Sequence, residues 1–311
     1  MKRRDLLQGA AAFGLLAAAP FSAARRVFAS AGPAGGTTGT DGKQSSRPNP
    51  LTPPAQGSIP VAFLLSEGSV IIDFCGPWEV FQDVNIPGRQ DAPFRLYTVA
   101  ETTQPIRASG GMKIVPDYTL ASAPAPKVVV IPAQGGRGAP TLEWIRESAK
   151  SADVIMSVCT GAFLLAQTGL LAGRAATTHH NGYREFAMAF PDIRLKRGAR
   201  FVEDGNLASA GGLSSGIDLA LRVVERYYGR EAATKTAYQM EYQGQGWLNP
   251  DSNMVYATRK STDAQPLCPV CSMEVDPKTA PRSAYQGRSY YFCMPEHKAL
   301  FDATPARYLD A

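Results

Sequence analysis

Short apolar runs alternate with helical segments through the middle of this 311-residue chain. The runs with the length and composition of strands are 59–65, 94–100, 127–131 and 152–158. Helical patterns separate or follow them at 71–84, 141–150, 162–171, 216–228 and 231–242. Nearly continuous apolar strands that alternate with helices form a mainly parallel sheet covered on both faces. The sequence therefore predicts an α/β domain.

Two polar stretches divide the chain. Residues 32–57 are rich in glycine, proline and small polar residues, which is typical of a linker that cannot bury a core. A second polar stretch covers residues 251–266. We therefore expect a large domain at 58–250 and a small separate module at 267–311.

The first 31 residues have the features of an export signal. Lys2-Arg3-Arg4-Asp5-Leu6-Leu7 begins like a twin-arginine signal, and an apolar run at 9–19 follows that is too short to span a bilayer. Ala29-Ser30-Ala31 fits an A-x-A cleavage site. Residues 1–31 are therefore predicted to be a signal peptide, and the mature protein to be periplasmic or otherwise exported. The alternative is a cytoplasmic chain with an amphipathic start.

Net charge is concentrated at the N-terminus. The chain carries +5 in total, and the first 31 residues hold five basic residues and one acidic residue, which leaves only +1 for the remainder. A nearly neutral mature protein without a basic stripe has no electrostatic basis for binding nucleic acid. We therefore expect no nucleic-acid partner and no stable membrane span.

One strand leads directly into a cysteine. The run at 152–158 continues as Cys159-Thr160-Gly161-Ala162, where a helix begins. Cys159 therefore lies at the carboxyl end of a strand, where α/β proteins form ligand sites. It also lies at a helix N-terminus, whose partial positive charge lowers the pKa of a thiol. This arrangement is typical of a nucleophile elbow; a buried, unreactive cysteine is the alternative.

Three blocks of sequence resemble the ThiJ/PfpI family, which has a class I glutamine amidotransferase-like fold. They are 61–65 with Asp73-Phe74-Cys75-Gly76-Pro77, 158–166 with 169–179, and 209–212 with 216–221. The nearest branch resembles isonitrile hydratase and the sensor domains of GlxA-type regulators. The resemblance implies a flavodoxin-like three-layer sandwich, a homodimer, a small-molecule substrate and no cofactor in the large domain.

The same resemblance implies roles for residues around the cysteine. Asp73 takes the place of the aspartate that faces the sulfur and moves a proton, although its position also permits a helix N-cap. Thr160 stands where protease-like members have histidine, so peptidase activity is disfavoured. The resemblance to isonitrile hydratase implies that Thr160 is catalytic together with Cys159 and Asp73. Cys75 is an inert packing residue or, alternatively, a redox partner of Cys159.

Three further residues are candidates for the pocket. Gly135 and Gly136 follow a strand at a turn whose N–H groups form an oxyanion hole in the family, although an ordinary glycine turn is the alternative. Residues 133–134 interrupt the usual family pattern there. His179 follows a Thr-Thr pair, as a histidine does in the family, and either transfers protons or has a structural role.

The C-terminal segment carries a different cluster. Cys268 and Cys271 form a C-x-x-C knuckle, and Cys293 and His297 lie one helical turn apart. Three thiolates and one imidazole make a tetrahedral set for zinc or another soft-ligand metal. A unit of this size buries little core and benefits from such a site. A Cys268–Cys271 disulfide and free thiols are the alternatives.

This segment resembles the YHS domain in the pattern C-P-V-C-x-M…Y-x-F-C…F…P-x-x-Y, which Phe301, Pro305 and Tyr308 complete. The resemblance implies a small α+β module that binds a metal ion, zinc or copper. Ser272 stands where the pattern has glycine, so we expect a slightly strained turn.

These features together predict an exported cysteine-dependent hydrolase or lyase that acts on a small electrophilic substrate, as isonitrile hydratase does. Cys159 would attack carbon, Asp73 would move the proton, and Gly136 would stabilise negative charge. The alternative is a non-enzymatic metal sensor or carrier with the large domain as a scaffold. Redox protection, with Cys159 oxidised to sulfinic acid, is a third hypothesis.

Overall fold

The computed structural model describes residues 49–257, 261–262 and 264–309. The predicted signal peptide and the predicted linker up to residue 48 lie outside these residues. The rest of that linker packs on the large domain. The N–H group of Leu51 donates to the carbonyl oxygen of Arg226, and Arg226 Nε donates to the carbonyl oxygen of Asn49. Contacts with the large domain therefore begin before residue 58.

Eleven strands are described in the large domain: β1 (Ile59–Leu64), β2 (Phe94–Ala100), β3 (Ile106–Arg107), β4 (Lys113–Ile114), β5 (Tyr118–Thr119), β6 (Val128–Ile131), β7 (Val154–Val158), β8 (Ala175–Ala176), β9 (Arg194–Leu195), β10 (Phe201–Asp204) and β11 (Leu207–Ala210). Seven of these form one sheet in the order β10-β11-β7-β6-β1-β2-β5. Every neighbouring pair is parallel except β10 and β11. The carboxyl ends of the central strands therefore meet at one edge of the sheet.

The helices of the large domain are α1 (Ile71–Gln82), α2 (Ala139–Ala149), α3 (Gly161–Gln167), α4 (Tyr183–Ala189) and α5 (Ser215–Gln239). Helix α5 joins two segments that the sequence predicts separately. They meet at Gly229, whose φ of 84° interrupts the helix. Because glycine has no Cβ, it adopts this left-handed conformation at little cost.

Two apolar cores cover the two faces of the sheet. On one face, Phe63, Val130 and Met156 pack against residues of α1 and α5. On the other face, Ile131 and Ile155 pack against residues of α2 and α3. Side chains of successive strand residues point to opposite faces, so strands buried on both sides need continuous apolar sequence. The predicted three-layer α/β sandwich is confirmed.

The chain after α5 returns to the large domain. The side chain of Asp218 is fully buried and binds Arg200 Nε at 2.6 Å, the Tyr242 hydroxyl at 3.0 Å and the Trp247 N–H at 2.8 Å. Asn253 is also buried and donates to Ser215 Oγ. The segment from Tyr242 to Asn253 lines part of a cavity of about 340 Å³. Part of the predicted 251–266 linker therefore belongs to the large domain.

The C-terminal module contains the antiparallel strands β12 (Arg282–Tyr285) and β13 (Arg288–Tyr291), followed by helix α6 (Pro295–Ala303). Its small core is built around Phe292, Phe301 and Tyr308. Two core cysteines, Cys268 and Cys271, are buried beside these rings. The predicted Cys-rich α+β module is present. In the described part of the chain, no helix combines the length and the apolar character that a membrane crossing requires.

Candidate thiol site and metal centre

Cys159 occupies the sharp turn between β7 and α3. Its φ of 58° lies in the left-handed region, which is costly for a residue with a Cβ and is typical of a nucleophile elbow. The next turn is tight because a Cβ at Gly161 would lie 2.2 Å from the carbonyl oxygen of Ile131. The N–H of Cys159 donates to the carbonyl oxygen of Gly211, and the Thr178 hydroxyl donates to the carbonyl oxygen of Cys159. These contacts fix the position of the sulfur.

Asp73 lies in the first turn of α1 and is fully buried. Its Oδ2 accepts a hydrogen bond from the N–H of Ala133 at 3.1 Å, whereas Val70 occupies the N-cap position. Asp73 is therefore not a helix cap. Its Oδ1 has no hydrogen-bond partner among the described residues. Burial raises the pKa of Asp73 to about 6, against the opposing effects of the Ala133 N–H and the Cys159 thiol.

The thiol of Cys159 is protonated at neutral pH. Only 7% of the residue is exposed, and burial together with the negative charge of Asp73 raises the pKa of Cys159 to about 12. The predicted depression of this pKa is wrong, because burial and a neighbouring carboxylate outweigh the end of a short helix. At neutral pH, the proton of the Cys159–Asp73 pair is therefore on sulfur. The Asp73 carboxylate is the group that can accept this proton.

Two backbone N–H groups interact with the sulfur. They belong to Thr160 and Leu213, and both favour the thiolate, as does the side chain of Thr160. Thr160 is a predicted site residue, but Leu213 was missed. Leu213 follows Gly211-Gly212 and has a φ of 37°. The glycine pair before a helix was the available signal, since it permits a turn that directs an N–H group towards β7.

The predicted oxyanion donors are engaged elsewhere. The N–H of Gly135 donates to the carbonyl oxygen of Glu67 at 3.0 Å, and the N–H of Gly136 donates to Ser66 Oγ at 2.8 Å. Both glycines therefore hold their own loop against the chain after β1. The prediction that they stabilise an oxyanion is corrected accordingly: the N–H groups that interact with the sulfur are those of Thr160 and Leu213.

His179 borders the same loop. A Cβ at Gly212 would lie 2.4 Å from His179 Cδ2, so the imidazole packs directly on the residue before Leu213. Nδ1 of His179 accepts the N–H of Asn181 at 3.2 Å. The ring centroid of His180 is 4.2 Å from that of His179. The structure thus places His179 at the wall of the site.

Cys75 packs against the apolar core that contains Cys159, and it remains a free thiol. It is half-buried on α1, and burial followed by the charge of Glu79 raises its pKa. All five cysteines are free in this structure, so neither a Cys75–Cys159 disulfide nor a Cys268–Cys271 disulfide is formed.

The four predicted metal ligands come together in the C-terminal module. The Sγ atoms of Cys268, Cys271 and Cys293 and a ring nitrogen of His297 all lie within 4.8 Å of one another. Cys271 Sγ is 3.5 Å from Cys293 Sγ, and His297 Nδ1 is 3.1 Å from Cys293 Sγ and 3.6 Å from Cys268 Sγ. Zn–S bonds of about 2.3 Å in a tetrahedron require S···S separations of about 3.8 Å. The donor set and its dimensions therefore fit a soft metal ion.

Local electrostatics prepare this cluster for a cation. The Cys271 thiol, acting as a hydrogen-bond donor, lowers the pKa of Cys268, and backbone N–H groups of Cys293, Cys271 and Val270 act in the same direction. The same contact and burial raise the pKa of Cys271. The lowered pKa of Cys268 favours metal entry, because metal ligands must be deprotonated.

Ser272 bears out the expected strain, since its φ is 63°. We predict that Ser272→Gly stabilises the module by about 0.5–1 kcal/mol, because glycine adopts this φ without a steric penalty. Urea unfolding followed by tyrosine fluorescence measures the change. Ser289→Gly, at an exposed position in β13, is the matched control and should destabilise the module. Equal destabilisation by both substitutions would contradict the strain argument.

Comparisons with known proteins agree with this architecture. The DJ-1/PfpI family model matches residues 60–226, and the YHS domain model matches residues 268–311. Isonitrile hydratase from Pseudomonas putida is 32% identical over 190 residues, which cover 60% of this chain and 79% of that protein. The HTH-type transcriptional regulator GbdR from Pseudomonas aeruginosa (strain PAO1) is 26% identical over 190 residues, covering 59% of this chain and 50% of the regulator.

A solved structure shows the same fold. The crystal structure of a ThiJ/PfpI family protein from Pseudomonas syringae superposes with a TM-score of 0.55 at 26% identity, covering 66% of this chain and 83% of that one. The family match includes both Asp73 and the Cys159 elbow, which the fold brings together. The large domain has the corresponding parallel sheet and helices, and so the chain belongs to the DJ-1/PfpI family.

Proposed function

We propose that this protein is a cysteine-dependent enzyme that adds water to the terminal carbon of a small isonitrile-like substrate. The observation that carries the proposal is the pairing of Cys159 with Asp73. A protonated thiol in a strained turn lies beside a buried carboxyl group with one unpaired oxygen. The 32% identity to isonitrile hydratase supports this class of reaction.

Cys159 and Asp73 have different roles in the proposed reaction. The sulfur of Cys159 adds to the isonitrile carbon, and the thiol proton passes through Asp73 to that carbon, which gives a thioimidate. Water then adds to the same carbon, and one of its protons goes to the nitrogen. The C–S bond breaks as the C=O bond forms, and the second proton of the water returns to sulfur. One isonitrile and one water thus become one N-substituted formamide. The N–H groups of Thr160 and Leu213 stabilise negative charge on the sulfur during both steps.

Asp73→Asn tests the proton transfer. Asparagine cannot accept the thiol proton, so kcat/KM for an isonitrile should fall by about 10²-fold or more. In the parent protein, kcat/KM should rise as the pH rises through about 6, because Asp73 must be ionised. This rise of kcat/KM with pH should be absent in Asp73→Asn. Asp83→Asn, just after α1, is the control and should keep both activity and pH profile. An unchanged profile in Asp73→Asn would refute the role of Asp73.

The same substitution should stabilise the fold. The folded protein binds the Asp73 proton more tightly than the unfolded chain, so stability from this group falls as the pH rises from about 4 to 6. The shift corresponds to a cost of about 1–3 kcal/mol at pH 7. Asp73→Asn removes this cost and should raise the free energy of unfolding at pH 7, but much less at pH 4. Chemical denaturation at the two pH values measures the difference.

A second function is favoured by one specific observation. The metal ligand set is complete in the C-terminal module, whereas Cys159 is buried and protonated. A metal sensor or carrier that uses the large domain as a scaffold fits both facts. Stoichiometric metal in the purified protein, with no reaction of Cys159 towards iodoacetamide and no turnover, would favour this function. Rapid alkylation of Cys159 with turnover would favour the enzyme.

The cellular location, the oligomeric state and the metal ion belong to the same proposal. We propose export by the twin-arginine route, a homodimer in solution, and zinc or copper at the four ligands Cys268, Cys271, Cys293 and His297. The metal would tie the knuckle to the first turn of α6 and so stabilise the module. Fractionation of cells that express the full chain, together with light scattering of the mature protein, tests the first two points.

A further inference from the structure

Helix α4 has two turns and contacts the C-terminal module on one side. The guanidinium group of Arg184 donates to the carbonyl oxygen of Tyr308 and lies 5.0 Å from the centroid of its ring. Met188 packs against the apolar core of the module. The module therefore covers part of a helix that belongs to the large domain.

The same helix contacts the thiol site on its other side. Phe186 is fully buried, and its ring centroid is 5.1 Å from that of Phe163 on α3, the helix that begins just after Cys159 and Thr160. A Cβ at Gly182, which precedes α4, would lie 3.1 Å from Phe163 and 3.8 Å from the methyl carbon of Thr160. Any loosening of α4 therefore reaches a residue that interacts with the sulfur.

Aromatic packing continues from α4 to the metal ligands. Within the module, the ring of Phe301 is 6.3 Å from Tyr308 and 5.2 Å from Phe292. Phe292 is fully buried and precedes the ligand Cys293. Bound metal contributes folding free energy to a module with so small a core. The surface that contacts Arg184 and Met188 belongs to this module, so metal binding would stabilise that surface as well.

We propose that metal binding at the Cys268/Cys271/Cys293/His297 cluster is linked to the order of the Cys159 site through α4. An isolated helix of two turns is unstable, so α4 depends on its contacts on both sides. Metal binding orders the module, the module holds α4, and α4 holds Thr160 and α3. The inference rests on the metal binding proposed above and not on any reaction at Cys159.

Hydrogen exchange of the full chain with and without Zn²⁺ tests the linkage. Zinc should slow exchange in the module and also slow exchange in residues 160–190 by about fivefold or more. In Arg184→Ala with Met188→Ala, zinc should still protect the module but no longer protect residues 160–167. By reciprocity, zinc affinity should fall in that variant by the factor that measures the linkage.

Arg95→Ala is the matched control. Its guanidinium lies 5.6 Å from the ring centroid of Tyr97 in β2, so it removes a contact of the same kind elsewhere in the large domain. The control should keep zinc protection of residues 160–167. Should the double variant misfold, Arg184→Ala alone serves, with a smaller loss. Protection confined to the module, or protection of 160–167 that survives the substitutions, overturns the linkage. Absence of protection anywhere overturns the metal binding as well.

Discussion

Replacement of Cys159 by alanine is expected to lower kcat/KM for isonitrile hydration by at least about 10³-fold. The substitution removes the atom that forms the covalent intermediate, and with it the thiol that interacts with Asp73. Alanine retains the Cβ, so the strained φ of 58° costs about the same as before. The fold should therefore remain intact. Formamide production measures the activity, and thermal unfolding checks the fold.

Cys75→Ala supplies the control for this experiment. Cys75 is a second free thiol, half-buried against the same apolar core. Its loss should leave kcat/KM within about twofold and cost some packing energy. If Cys159→Ala kept more than a tenth of the parent activity, the covalent mechanism would be refuted. A similar loss of activity in both variants would point to damage of the shared core instead.

Replacement of Cys293 by serine is expected to weaken Zn²⁺ binding by about 10³-fold or more. Cys293 Sγ lies 3.5 Å from Cys271 Sγ and 3.1 Å from His297 Nδ1, so it is close enough to both to bind the same metal ion. Structural zinc contributes folding free energy directly to small modules. The variant module should therefore lose its order, while the sheet of the large domain stays folded. Competition with a chromophoric chelator measures the affinity.

Cys75→Ser is the control for the metal site, because it removes a thiol outside the cluster. It should bind one zinc ion with unchanged affinity. Stoichiometric tight zinc in Cys293→Ser, or loss of zinc in Cys75→Ser, would contradict the assignment. A chelator added to the parent protein should reproduce the effect of Cys293→Ser, which separates loss of metal from damage by the substitution itself.

Local pattern was sufficient for the α/β fold class. Continuous apolar strands such as 128–131 and 154–158 need cover on both faces, and the helices that follow them supply it. The predicted limits agree with the observed ones within a few residues. The two helical segments predicted at 216–228 and 231–242 are confirmed, since a break at Gly229 divides α5. The pattern did not predict α4 or the strands β3–β5 and β8–β11, and residues 49–57 pack on the large domain instead of forming part of a linker.

The thiol site was only partly predictable. The turn at Cys159 follows from a strand that ends in a small-residue helix start, whereas the contact with Asp73 came from resemblance and required the fold to join α1 to β7. The N–H of Leu213 and the engagement of Gly135 and Gly136 depend on loops that meet only in three dimensions. Hydrogen-bond partners distant in sequence cannot be deduced from spacing.

The sequence by itself determined the alternation of strands and helices, the place of Cys159 at a strand end, and the spacing of Cys268, Cys271, Cys293 and His297, because these depend on neighbours a few residues away. The tertiary structure alone decided which atom carries the proton at the thiol site. Burial and the charge of Asp73 raise the pKa of Cys159 to about 12, and both effects come from elements far away along the chain.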